Sequence, residues 1–199
     1  DVGGDGAGNA DIVKAMGTAG ADAVNFSTIT HGTGNDATYQ YDLGAGADTI
    51  TVTGTVVNTI IIDTGDSATF AATTNASIST VGMDVITGLD TSDKIKLADY
   101  TAASQDALAA TKLDSDAEAN GNDLNVTVAD NAAAGVRGDY SSTANTFTES
   151  AAGADLLVAY DTNNAAANAK TIEAVVLVGL GANTIAYAAA GAAGEISIA

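Results

Sequence analysis

The residues best placed to do chemistry are aspartates set behind paired glycines. Gly44-Ala45-Gly46-Ala47-Asp48-Thr49-Ile50 is the clearest copy, and Gly32-Thr33-Gly34-Asn35-Asp36-Ala37-Thr38 repeats the frame with Thr at the apolar position. Gly20-Ala21-Asp22 and Gly82-Met83-Asp84 are partial copies, and Gly54-Thr55-Val56-Val57-Asn58 keeps the frame without the carboxylate. Glycines allow backbone conformations that turn carbonyl oxygens toward one point, and the aspartate adds a hard anionic oxygen. Six to eight such oxygens at ~2.3–2.6 Å satisfy Ca²⁺. One turn supplies about half of that shell, so an ion would sit between stacked turns and tie them together. Asp22, Gly32, Gly34, Asp36, Gly44, Gly46, Asp48, Asp66 and Asp84 form the candidate ligand set.

Other chemistry has little to work with. The chain of 199 residues holds one His, no Cys, no Pro and no Trp. That removes disulfides and thiolate metal sites, and leaves His31 as a turn histidine without a partner. No nucleophile–base pairing or phosphate loop is present, and the chain is read as non-enzymatic. Twenty-five acidic residues against six basic ones give a net charge of −19, which excludes nucleic acid as a partner. No apolar stretch approaches the ~18 residues that span a bilayer, so membrane insertion is not expected. The start, Asp1-Val2-Gly3-Gly4-Asp5, lacks a signal-peptide pattern and a Met, as in a fragment or processed product. Arg137-Gly138-Asp139 spells an integrin-binding tripeptide, and a loop is the default reading of it.

The elements that must position the aspartates are short strands. All but four of the acidic residues are Asp, and 22 glycines accompany abundant Thr, Val and Ile. This composition fits strands joined by tight turns. Apolar centres at Tyr41, Ile50, Ile60, Phe70, Ile78, Ile86 and Ile95 recur at a mean spacing of nine residues. A unit that short cannot bury its own apolar face, but stacked units can. The expected fold is all-β: a degenerate parallel β-roll or β-solenoid over residues 1–97, then a β-sandwich-like capping domain over 98–199. An antiparallel meander would show similar turn spacing. Thr101–Leu113 is the one helix candidate, and strands are expected at Leu124–Val128, Thr143–Thr148, Leu156–Tyr160, Thr171–Leu177 and Thr184–Tyr187.

The glycine–aspartate turns resemble the nonapeptide repeats of the RTX (hemolysin-type calcium-binding) family over about residues 17–97. The spacing departs from that pattern: Asp22, Asp36 and Asp48 stand 14 and 12 residues apart rather than nine. Asp84-Val85-Ile86-Thr87-Gly88-Leu89-Asp90-Thr91-Ser92-Asp93-Lys94-Ile95-Lys96-Leu97 resembles the segment that closes such rolls, with Leu89 at an aromatic position. By that resemblance Asp90 and Asp93 join the ligand candidates. Asp155-Leu156-Leu157-Val158-Ala159-Tyr160-Asp161 with Ile172–Gly179 is similar to a hairpin in the C-terminal domains of type I-secreted proteins, here with Asn163-Asn164 in its turn. Glu195-Ile196-Ser197-Ile198-Ala199 is similar to the end of C-terminal signals for ABC-type exporters, though an edge strand reads identically.

The resemblance implies secretion to the surface of a Gram-negative bacterium, folding on extracellular calcium, and self-association or a cell-surface partner, as in surface-layer proteins and adhesins. A targeting module at the end of a secreted protease, lipase or toxin is the alternative. A solenoid binding ice or carbohydrate through Thr49, Thr51 and Thr53 is a third. Asp114–Asp123 is an acidic stretch with too few EF-hand features to separate a calcium loop from a polar turn.

Overall fold

A computed structural model describes residues 12–28, 38–52, 56–71, 73, 75–97, 128, 133–162, 171–183, 185–187 and 194–199. The described residues form strands and turns, and no helix. The helix candidate Thr101–Leu113, the acidic stretch 114–123 and the 32–36 glycine–aspartate copy lie outside them.

Among the described residues, two mixed sheets carry fourteen strands. The chain alternates between them: β1 (Ile12–Met16), β3 (Thr38–Asp42), β5 (Asn58–Ile62) and β8 (Lys94–Leu97) pair in parallel in the first sheet. In the second, β2 (Ala23–Asn25), β4 (Thr49–Thr51) and β7 (Asp84–Thr87) also pair in parallel. A step of about nine residues therefore carries the chain from one sheet to the other, not to its neighbour in register. Register neighbours are much further apart, with Asp22 and Asp48 separated by 26 residues and Asp48 and Asp84 by 36. Only alternate turns stack, which sets the ladder neighbours far apart along the chain.

One stretch leaves the alternation. After β5 the chain runs out through Phe70 to β6 (Ser77–Ser79) at the far edge of the second sheet, and returns to β7. The apolar centres Phe70 and Ile78 belong to this excursion rather than to the alternating strands.

The two halves of the chain share both sheets. β12 (Ile172–Val178) pairs in parallel with β7, and extends the second sheet through β11 (Asp155–Asp161), β9 (Ala133–Ser141) and β10 (Thr146–Glu149) to β6. β9 was not anticipated, and it holds Arg137-Gly138-Asp139 in the ladder rather than in a loop. There the Arg137 Nε–H donates to the Gly153 carbonyl at 2.8 Å and Asp139 accepts from the Ala154 N–H at 3.1 Å.

Alternation sets the cores. Tyr41, Ile60 and Ile95 of the first sheet share a buried cluster with Ile50, Ile86, Leu156, Val158, Val175 and Leu177 of the second. The opposite side chains of β11 and β12, Leu157, Ala159, Ala174 and Val176, pack with Phe70, Met83 and Phe147 of the excursion and β10. β11 is buried on both faces, which is why it reads as a continuous apolar run.

β14 (Glu195–Ile198) lies between β8 and β13 (Ile185–Tyr187) in the first sheet, antiparallel to both. Ile196 is fully buried in the shared core, whereas Glu195 pairs with Lys94 at 2.9 Å across partly exposed side chains. Ile196→Ala is expected to cost about 2–4 kcal/mol through the cavity it leaves. Glu195→Gln is expected to cost less than about 1 kcal/mol, as for exposed ion pairs. Urea denaturation of both variants checks this, and equal losses would show that β14 is held by the ion pair and not by its apolar face.

Candidate metal centre

The turns that lead into β2, β4 and β7 stack on one another. Asp22, Asp48 and Asp84 stand at the entry to β2, β4 and β7, and they form a ladder. The Asp22 N–H donates to Asp48 Oδ1 at 2.7 Å, and the Asp48 N–H donates to Asp84 Oδ1 at 2.9 Å. Each carboxylate thereby satisfies a backbone donor in the adjoining turn, where a buried orphan would be costly. The stack is tight. A Cβ on Gly44, whose φ is +73°, would lie 2.4 Å from the Thr18 carbonyl oxygen.

Two oxygens are left over. Asp48 and Asp84 are 1% and 0% exposed, and Oδ2 of each lacks a hydrogen-bond partner. Asp66, also buried, sits with them and carries its own group on the other side. Carboxylate oxygens of Asp42, Asp63 and Asp66 all lie within 4.8 Å of one another. Asp42 ends β3 and is half-buried, Asp63 follows β5 and is exposed, and Asp66 accepts from the Asp63 N–H at 2.6 Å. The Gly46 N–H donates to the Asp66 carbonyl at 3.1 Å, so the turn carrying Asp66 continues the stack.

The electrostatics are unfavourable for carboxylates alone. Burial raises the Asp84 carboxyl to about 8, opposed by the Asp48 N–H and reinforced by the charges of Asp48, Asp66 and Glu173. Burial likewise raises Asp66, with Asp63, Asp42 and Asp48 adding to it. Asp48 is raised by burial as well. A divalent cation is the chemistry that relieves such a group, since it replaces the missing hydrogen bonds and the missing positive charge at once. Hard oxygen ligands of this kind suit Ca²⁺ or Mg²⁺, and not Zn²⁺ or copper.

Among the expected ligands, Asp48, Asp66 and Asp84 come together here, and Gly44 and Gly46 line the same stack. Asp22 belongs to the ladder, but its Oδ2 accepts from the Thr18 N–H and hydroxyl at 2.7 and 3.0 Å. Asp90 and Asp93 lie in the other set of turns. Asp93 Oδ1 accepts from the Asn58 N–H and Nδ2, and its Oδ2 from the Asp90 N–H, while Asp90 accepts from Ser92. Both of these act as turn caps within the protein. Gly32, Gly34 and Asp36 lie outside the described residues.

Comparison with protein families, with curated proteins and with solved structures finds no match.

Asp42 and Asp63 were not anticipated. The signal was present in Asp42-Leu43-Gly44 and Asp63-Thr64-Gly65, where each Asp stands two residues before a glycine of positive φ. Of the threonines proposed as a binding row, Thr49 and Thr51 share the face of β4 opposite buried Ile50, with Ala23 and Val85 beside Thr49 and Asn25 and Thr87 beside Thr51. Thr53 is outside the described residues.

The pH dependence follows from Asp84. Its folded pKa of about 8 stands above the ordinary 3.8, so the folded state holds the proton more tightly than the unfolded one. That stabilisation is full below about pH 4 and is lost as pH rises through 8. In chelator, urea midpoints are expected to fall from pH 5 to pH 8, and Asp84→Asn is expected to flatten the slope. A slope unchanged by Asp84→Asn would remove this carboxylate from the explanation.

Proposed function

We propose that this chain is a calcium-stabilised parallel β-roll that works as a structural module at a bacterial cell surface. The observation that carries the reading is the convergence of Asp42, Asp63 and Asp66 beside the buried, unpartnered oxygens of Asp48 and Asp84. The alternating parallel strands support the β-roll description, since they place one turn of each circuit over the next.

Calcium would be held between the stacked turns by Asp42, Asp63 and Asp66, with Asp48 and Asp84 as the inner carboxylates. In a compartment poor in calcium these carboxylates repel, and the chain stays less folded. In millimolar calcium, binding to the folded turns alone draws the chain into its native state. That behaviour suits a protein exported unfolded by an ABC-type system and assembled outside the cell, in a surface layer or adhesin. The lack of a nucleophile–base pair in the sequence fits a structural role rather than an enzymatic one. The test is the thermal midpoint in calcium against chelator, and an identical midpoint overturns the reading.

A further inference from the structure

The turn that bears Asp63 and Asp66 is not held by its own coil alone. Its backbone is gripped by β12, about a hundred residues further along the chain. The Gly65 N–H, between the two aspartates, donates to Glu173 Oε1 at 2.8 Å. The Thr64 hydroxyl donates to the Thr162 carbonyl at 3.2 Å, and the Ser67 hydroxyl donates to the Ala174 carbonyl at 2.6 Å. The same Ser67 oxygen accepts the Asp84 N–H at 3.0 Å, which links the grip to the inner carboxylate. Thr69 then bridges to Glu173, and the Phe70 N–H reaches the Ile172 carbonyl at 2.7 Å.

Glu173 is 1% exposed and sits on a strand outside the glycine–aspartate repeats. A buried carboxylate in an already acidic neighbourhood is costly, so its placement needs a reason. Its contact with Gly65 supplies one: the bond fixes the peptide on which Asp63 and Asp66 are mounted. Ligand-bearing backbone held in this way keeps its geometry before the ion arrives.

We infer that Glu173 is a positioning residue for the cation centre, setting the Asp63–Asp66 turn through the Gly65 N–H and thereby coupling the ion to the β11–β12 hairpin. This rests on the calcium reading above. Linkage makes the coupling reciprocal, so calcium tightens the hairpin as much as the hairpin tightens calcium.

The test uses the whole chain and calcium itself, with affinity from calorimetry and amide exchange by mass spectrometry. Glu173→Gln keeps an oxygen acceptor for Gly65 and is expected to hold affinity within about threefold. Glu173→Ala removes it and is expected to weaken binding about 10–100-fold, the range for supporting groups around a metal. Calcium is also expected to slow exchange of the amides at 172–174 in the unaltered chain, which requires no variant to fold. Three results would overturn the inference: an unchanged affinity in Glu173→Ala, equal losses in Gln and Ala, which would make Glu173 a ligand, or protection confined to residues 38–66. If the unaltered chain takes up no calcium, the calcium reading itself fails, which is a separate result.

Discussion

In millimolar calcium the chain is expected to melt about 5–10 °C above its midpoint in chelator. An ion present at a hundredfold excess over its dissociation constant stabilises the folded state by about 2.7 kcal/mol. A domain of this size gains roughly 2–4 °C per kcal/mol. Asp63→Asn is the informative variant, because it keeps the size of the side chain while removing one carboxylate from the Asp42–Asp63–Asp66 group. In chelator that variant is expected to melt at or slightly above the parent, since one source of repulsion on Asp66 is gone. In calcium it is expected to forfeit most of the gain. Asp90→Asn makes the contrast: its carboxylate caps Ser92, so the calcium increment stays as in the parent. Scanning calorimetry on the three proteins decides the matter. Equal increments in the parent and Asp63→Asn would remove the Asp42–Asp63–Asp66 group from the site, and an equal gain from sodium chloride at matched ionic strength would assign the effect to general screening of acidic charge.

A glycine substitution is expected to have a comparable effect with no ion present. Gly44→Ala places an L-residue at a φ of +73° and its Cβ 2.4 Å from the Thr18 carbonyl oxygen, a backbone atom that cannot swing aside. The left-handed conformation costs roughly 1–2 kcal/mol. Forcing the two turns apart adds roughly 1–3 kcal/mol, as overpacking does elsewhere. A loss of about 3 kcal/mol, or roughly 6–12 °C, is expected in chelator. Gly179→Ala separates the two contributions, since Gly179 has a φ of +84° and open space where its Cβ would be. It is expected to lose only the conformational part. If both variants lose the same amount, the turns are not in close contact and the stacked arrangement is wrong at this point.

Much of the alternating architecture was legible because each strand is short and its turn is spelled in glycine and aspartate. Ile50, Ile60, Ile86 and Ile95 were each placed at the centre of a strand, and the ladder of Asp22, Asp48 and Asp84 was contained in the same motif. What a periodicity cannot carry is which strands become neighbours. The nine-residue step was read as a stacking interval, whereas it moves the chain across the core. The excursion through β6 keeps the same apolar spacing while leaving the alternating strands, so Phe70 and Ile78 looked like further repeats. β9 was missed because Gly135, Arg137, Gly138 and Asp139 interrupt its apolar pattern; its backbone pairs on both sides with β10 and β11, so strand partners outweigh propensity there. The candidate cation centre was half legible. Asp48 and Asp84 lie in the motif and Asp66 follows a single glycine, whereas Asp42 and Asp63 stand before glycines, and Glu173 carries no local signal at all.

The grip of β12 on the turn at 64–70 has a consequence for the order in which the chain can fold. A simple stack of coils grows by adding each new coil to the last, and its beginning can be native before its end exists. Here the third circuit waits for residues 172–174, so its turn lacks the β12 contacts while the chain is still emerging from a ribosome. Early strands can form only transiently until the distant hairpin arrives. Closure then comes late and all together, at the slow rate that long-range pairing imposes. A chain built this way stays open by topology until its last third is made.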